Sequence, residues 1–209
     1  MLKPIRLNYY LDREANILNT SSAQTSNLYR LIVISIMGTI SVLLMFLNFP
    51  LPFPFIPAYL RIDVSDIPAL IAGVIFSPVA GVVVVAIKNI LYVLVTAISD
   101  PIGALANFFA GMFYVVPVSF MYMKYRSMKS VLIGLGIGTL LMTIGLSLLN
   151  YILFIPAYSW FMGWEEMSES VKRSTVLVGI LPFNLIKGII VGVVFALIFT
   201  KLKNWIQKK

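Results

Sequence analysis

Six stretches of the chain are almost purely apolar, at approximately 28–48, 67–76, 79–98, 102–123, 130–154 and 175–200, with polar and charged residues crowded between them. Five have the length of about 20 residues that a helix needs to cross a hydrocarbon core. The second is too short to cross alone at about 1.5 Å per residue. It carries Gly73 and runs into Ser77 and Pro78, which predicts a short or tilted span. A re-entrant hairpin with the third stretch is the alternative. Residues 1–27 are polar and mixed and do not read as a cleavable signal. They are expected to form a cytoplasmic tail ahead of a membrane domain over 28–209.

Charge placement orients this pattern. With the N-terminus inside, the tail, the first turn of the first span, the Lys124–Lys129 loop and the C-terminus hold eleven of the sixteen basic residues. Asp63, Asp66, Asp100, Glu165, Glu166 and Glu169, six of the eight acids, then fall outside, where the basic exceptions are Arg61, Lys172 and Arg173. That asymmetry predicts an all-α bundle of six transmembrane helices with both termini cytoplasmic.

Composition agrees: 60% hydrophobic, 11% charged, mean hydropathy +0.96, the profile of a polytopic protein of the cell membrane. The net charge of +8 sits beside apolar segments and marks orientation, not a nucleic-acid partner. There is no cysteine and no histidine, which removes disulfides, thiolate and imidazole metal sites, and two common nucleophile and acid–base types. Neither a metal nor a cofactor is expected.

The unpaired polar groups inside the spans carry the functional signal. Lys88 and Lys187 each lie near the middle of an apolar run. A charge there costs about 2.5–3.5 kcal/mol on insertion scales, so it ordinarily faces a cavity, an ion path or a ligand. The alternative is a lysine that snorkels to the interface or pairs with a nearby carbonyl. Asn107 and Asn150 fall a turn or so below the outer ends of the fourth and fifth helices. Asn184 and Lys187, three apart, share a face of the sixth. Asp66 opens the second span from outside, and Lys88 with Asn89 enters at mid-depth. Singly, each asparagine could be interhelical glue worth about 0.6 kcal/mol, and Asp66 or Ser65 a helix N-cap. Their shared depth points to a polar cavity open to the outside.

Two outer segments can cover such a cavity. Asn48 to Asp66 has prolines at 50, 52, 54 and 57, which preclude a regular helix. It is stiff, extended and aromatic, and its Tyr59 is a candidate ligand contact. Ile155 to Ser174 carries Tyr158, Trp160, Phe161 and Trp164, either interfacial anchors or a cap over a flat ligand. Gly134–Gly138 and Gly188–Gly192 have the spacing of close helix contacts. No nucleotide-binding P-loop, carboxylate deep in a span or inverted repeat of broken helices is present, and no acid, base and nucleophile set is available for an enzyme. A binding protein with no engine of its own remains.

The stretch PLPFPFIPAYLRIDVSDIPALIAGVIFSPVAG, with ANFFAG at 106–111 and LPFNLIKG at 181–188, resembles the riboflavin-specific substrate-binding subunit (S component) of energy-coupling factor (ECF) transporters. The resemblance covers essentially everything after residue 28. It implies a six-helix bundle that binds riboflavin near the outer face as transported ligand, partnered by a transmembrane coupling protein and two cytoplasmic ATPases. A self-sufficient flavin or vitamin carrier is the alternative. By position the resemblance places Asn184 and Lys187 at the flavin, and less firmly Asn107 and Asn150. S components typically dock the coupling protein through an alanine-xxx-alanine pair on helix 1. Here Ser35, Gly38 and Thr39 occupy that region, with Ser35-xxx-Thr39 as the substitute.

Overall fold

The computed structural model describes residues 27–57, 59–96, 99–163 and 165–206. The expected cytoplasmic tail, apart from Asn27, lies outside them, as does Trp164. Helix α1 spans Asn27–Phe46. It is followed by α2 (Asp66–Ile75), α3 (Pro78–Val95), α4 (Pro101–Tyr125), α5 (Met128–Leu149), α6 (Ile155–Met162), α7 (Glu169–Ser174) and α8 (Leu181–Ile206). The π-helical turns Asn150–Phe154 and Thr175–Ile180 join α5 to α6 and α7 to α8 without a break. Among the described residues, five helical rods are therefore long and apolar enough to cross a membrane, and α2 is a shorter apolar helix beside them.

Local sequence explains where the rods start. Ser77 accepts from the Ala80 N–H and Asp100 from the Gly103 N–H, each directly before a proline at the first helical position. Ser127 and Ser130 cap each other reciprocally at the start of α5. Both π turns end two residues before a proline, Pro156 or Pro182, at the second position of the helix that follows. A proline supplies no N–H and pushes away the carbonyl four residues back, and a widened turn absorbs that mismatch.

The last two rods extend further than apolarity alone predicted. Tyr158, Trp160 and Phe161, expected in a loop, ride on helix α6, and Glu169–Ser174 is helical as well. Aromatic residues at a span's end continue the helix because its backbone bonds are satisfied internally whatever the side chains meet.

The loop from 47 to 65 also departs from expectation. It is not simply extended over a mouth. Strand β1 (Phe49–Pro50) pairs antiparallel with β2 (Arg61–Ile62), and the chain then sinks into the bundle. Ile56 and Ile62 bury against Phe183. The reason is length. The ten residues of α2 rise about 15 Å, as do those from Pro78 to Lys88 on the antiparallel α3. The start of α2 therefore lies at mid-depth, level with Lys88, and the descending loop fills the other half. Non-helical backbone is tolerated at that depth only where protein or a cavity surrounds it.

Below that level the bundle is closed. The Gly134 and Gly138 positions lie so close to α4 that an added Cβ would sit 2.7 Å from the Val118 Cα and 2.9 Å from the Tyr114 carbonyl oxygen. Tyr114 donates to the Gly188 carbonyl at 2.7 Å, and Tyr122, Phe195 and Phe199 fill the space beneath. Helix α1 runs parallel to α3, tied by Arg30 to the Ser77 hydroxyl at 2.9 Å and by Phe46 against Tyr92. Outward, α5 and the π turn that continues it expose Leu140, Ile144, Leu148 and Ile152 in a continuous stripe, which only lipid covers well.

Candidate functional site

The descending loop and the two π turns frame one cavity of about 170 Å³, in the half of the bundle that α2 does not fill. Its polar lining is Asn48, Tyr59, Arg61, Asp63, Tyr92, Asp100, Asn107, Asn150, Tyr158, Asn184 and Lys187. Met45, Leu60, Ala106, Ala110, Leu146 and Ile180 contribute apolar wall. An adjoining space of about 220 Å³ shares Tyr59, Asp100 and Tyr158 with it and continues to Met162, Glu165 and Met167.

Five of the residues singled out from sequence meet here: Tyr59, Asn107, Asn150, Asn184 and Lys187. Lys187 is buried and donates to Asp63 Oδ2 at 3.1 Å and to Asn107 Oδ1 at 3.3 Å. An ammonium has three N–H bonds, so one is left for the cavity. Asn184 and Asn150 donate to the carbonyls of Ile180 and Leu146 on their own helices, at 2.9 and 2.8 Å. That turns each amide while leaving its oxygen and second N–H available. Tyr158 donates to Asp100 at 2.9 Å where the two spaces join.

Lys88 and Asp66 are not part of the lining. They form an ion pair at 2.5 Å, 0% and 1% exposed, behind the cavity. Lys88 also donates to the Ser65 hydroxyl at 2.7 Å. The alternative raised for a mid-span lysine, that it pairs locally, therefore describes Lys88, with a carboxylate in place of a carbonyl. Ser65 stands at the N-cap position of α2, but its hydroxyl makes no cap bond, and Asp66 is the first helical residue.

Asp63 is the functional residue that sequence reasoning missed. Its place in the sequence puts it among the loop acids, outside the depth of the two lysines. In the structure it is buried, accepts from the Ser65 N–H at 2.9 Å and from the Ser65 hydroxyl, and pairs with Lys187. Burial alone would raise its pKa, but Lys187, Lys88 and the Ser65 hydrogen bonds outweigh that and lower it below the ordinary carboxylate value. The usable signal was the shortness of the second apolar stretch, since ten residues of helix leave half a membrane for the preceding loop to fill.

The three residues expected to dock a partner separate. Ser35 and Thr39 are exposed on α1, the Thr39 hydroxyl bonded to the Ser35 carbonyl at 3.1 Å. Gly38 faces inward, where an added Cβ would meet the Ile87 side chain at 2.5 Å. It serves the α1–α3 contact, not the outer surface.

A helical bundle with lipid-facing apolar flanks and a buried, polar-lined cavity defines a small multi-pass membrane protein built around a solute-sized site. The family described as "ECF transporter, substrate-specific component" matches residues 29–199, and the chain belongs to it. It is 47% identical over 182 residues to the riboflavin transporter FmnP of Bacillus subtilis (strain 168), spanning 86% of this chain and 95% of that protein. Against the riboflavin transporter RibU of Staphylococcus aureus (strain TCH60) the identity is 41% over 179 residues, 86% and 93% of the two chains. A solved structure described as "Structure and mechanism of the S component of a bacterial ECF transporter" superposes with a TM-score of 0.70 at 40% identity, over 85% of this chain and 96% of that one. The chain is thus a transporter component of the cell membrane and not an enzyme.

Proposed function

We propose that this chain captures riboflavin from the outer face of the membrane and delivers it to the cytoplasm together with a transmembrane coupling protein and two cytoplasmic ATPases. The observation that carries the ligand is Lys187, a buried ammonium at the cavity wall with one N–H unspent. The isoalloxazine ring is flat and largely apolar, with carbonyl and ring-nitrogen acceptors along one edge and an imide N–H between two of the carbonyls. Lys187, held in part by the Asn107 oxygen, supplies a donor for that edge, and the free oxygens of Asn150 and Asn184 can accept the N–H. Tyr59 and Tyr92 offer faces to the ring. The names of the relatives at 47% and 41% identity favour the same ligand.

The cavity alone is smaller than the roughly 300–1,000 Å³ common for small-molecule sites. Joined to the space beyond Tyr59 and Tyr158 it enters that range, so the ligand is admitted when those two rings part. Six spans with both termini cytoplasmic put the cavity outside, as the basic residues near Lys124–Lys129 and at the C-terminus favour. The exposed Ser35–Thr39 face of α1 is where the coupling protein would approach, since small side chains permit close helix contact. Lys88 and Asp66 support the site from behind.

The test is a titration of the purified protein with riboflavin, following quenching of flavin fluorescence. Saturable one-to-one quenching, indifferent to excess thiamine or biotin, is expected; a well-folded sample that quenches nothing would return the ligand to unknown. Uptake that persists in cells lacking the ATPases would instead favour the self-sufficient carrier.

A further inference from the structure

We propose that Ser65 and Lys88, neither of which lines the cavity, are positioning residues that fix the direction of the Lys187 ammonium through Asp63. The inference rests on the proposed flavin site and deepens it. It follows from counting donors and acceptors along one buried chain of contacts.

Lys88 can only donate, so at the Ser65 hydroxyl, 2.7 Å away, it occupies an oxygen lone pair. The single Ser65 proton is then free to point elsewhere, and the neighbour it meets is Asp63 Oδ1. The Ser65 backbone N–H reaches the same oxygen at 2.9 Å. With Oδ1 engaged twice, the carboxylate plane is fixed, and Oδ2 is left to Lys187 at 3.1 Å. Lys187 in turn donates to Asn107 Oδ1, which turns the Asn107 NH₂ group away, toward Met45 Sδ at 3.6 Å. Every hydrogen bond between Lys88 and Asn107 therefore has one allowed direction. Reversing one would set donor against donor.

Two further observations say that this arrangement is built and not incidental. Ser65 stands where a serine ordinarily caps a helix, yet its side chain makes no cap bond and is spent on the chain instead. The two cations and two carboxylates, Lys88, Lys187, Asp63 and Asp66, are all buried and balance in charge. Asp66 holds Lys88 at 2.5 Å. The transmembrane helices α3 and α8 thus grip the single segment 63–66 from two sides, and the ligand-facing group is the end of that grip.

Ser65→Ala removes the relay hydroxyl and leaves both ion pairs in place. Riboflavin affinity is expected to fall roughly three- to tenfold, the weight of one hydrogen bond. The discriminating readout is a double-mutant cycle with Lys187→Met. If Ser65 acts through Lys187, its effect on affinity nearly vanishes once Lys187 is gone. Additive losses, or no loss on Ser65→Ala alone, would overturn the proposal. A second readout uses no flavin: the rate at which a small amine-acylating reagent modifies Lys187, followed by mass spectrometry of the ligand-free protein. Ser65→Ala is expected to speed that reaction severalfold, and an unchanged rate also counts against positioning. Failure of the wild-type protein to bind riboflavin would retire the flavin reading alone, because the acylation rates still decide whether Ser65 governs Lys187.

Discussion

The two halves of this bundle are built on opposite rules. In the closed half, α4 and α5 approach until glycines touch backbone, and Tyr114 bonds directly to the Gly188 carbonyl of α8. In the cavity half the same α5 and the rod leading into α8 widen into π turns, and a loop takes the place of helix. The closed half gains from packing alone, as membrane helices must when lipid is as apolar as their side chains. The cavity half holds two buried ion pairs, and burying ions is costly unless every partner is in place. Stability is concentrated in one half so that the other can carry charge and space.

The largest effect that would break this contrast lies in the closed half. Gly138→Leu drives a side chain into the Tyr114 backbone, and overpacking of that kind costs about 1–3 kcal/mol or more. Thermal unfolding in detergent should show a sharply lowered midpoint or no folded protein. Gly136, two residues away, has no atom within 4 Å of a built Cβ, so Gly136→Ala should fold normally. Equal damage from both would mean that the glycines do not set the helix contact.

Next comes the buried pair. Lys88→Met strands the Asp66 carboxylate, a loss of about 3–5 kcal/mol for a broken buried pair. Adding Asp66→Asn should recover part of it in the same melting assay; no recovery would place the cost in packing and not in charge. Lys187→Ala sharpens the comparison from the other side. Flavin binding should weaken by about 1–3 kcal/mol with the fold retained, since the lost group is one charged hydrogen-bond donor at a cavity wall. A folded variant with undiminished affinity would remove Lys187 from the site.

The smallest effect concerns acidity. The Asp63 pKa is depressed, so its ion-pair contribution is complete above the ordinary carboxylate value and is lost only as pH falls through the lowered one. Riboflavin titrations at pH 7 and pH 5 should therefore agree within about twofold as far as Asp63 decides them. A steep loss between those values would show that Asp63 is not held as its neighbours imply.

Much of this protein was legible in one dimension. The apolar stretches located the helices within a few residues at most ends, because a span must satisfy its own backbone bonds and lipid tolerates little else. Lys187 and the asparagines at 107, 150 and 184 stood out because polar groups at such depth are rare. Depth was read along each helix by counting residues, and those four residues do converge on one cavity.

What the sequence could not supply was the path of non-helical chain. Asp63 and Asp66 sit three residues apart beside a short span, but nothing in the letters says that the loop descends to meet two lysines 22 and 124 residues away. Likewise Lys88 and Lys187 look alike in their apolar runs, yet one ends in a sealed ion pair and the other at a cavity wall. Helical rise is a local property and fixes depth. Which charge pairs with which depends on helix rotation and on the fall of a loop, and only the packed bundle settles those.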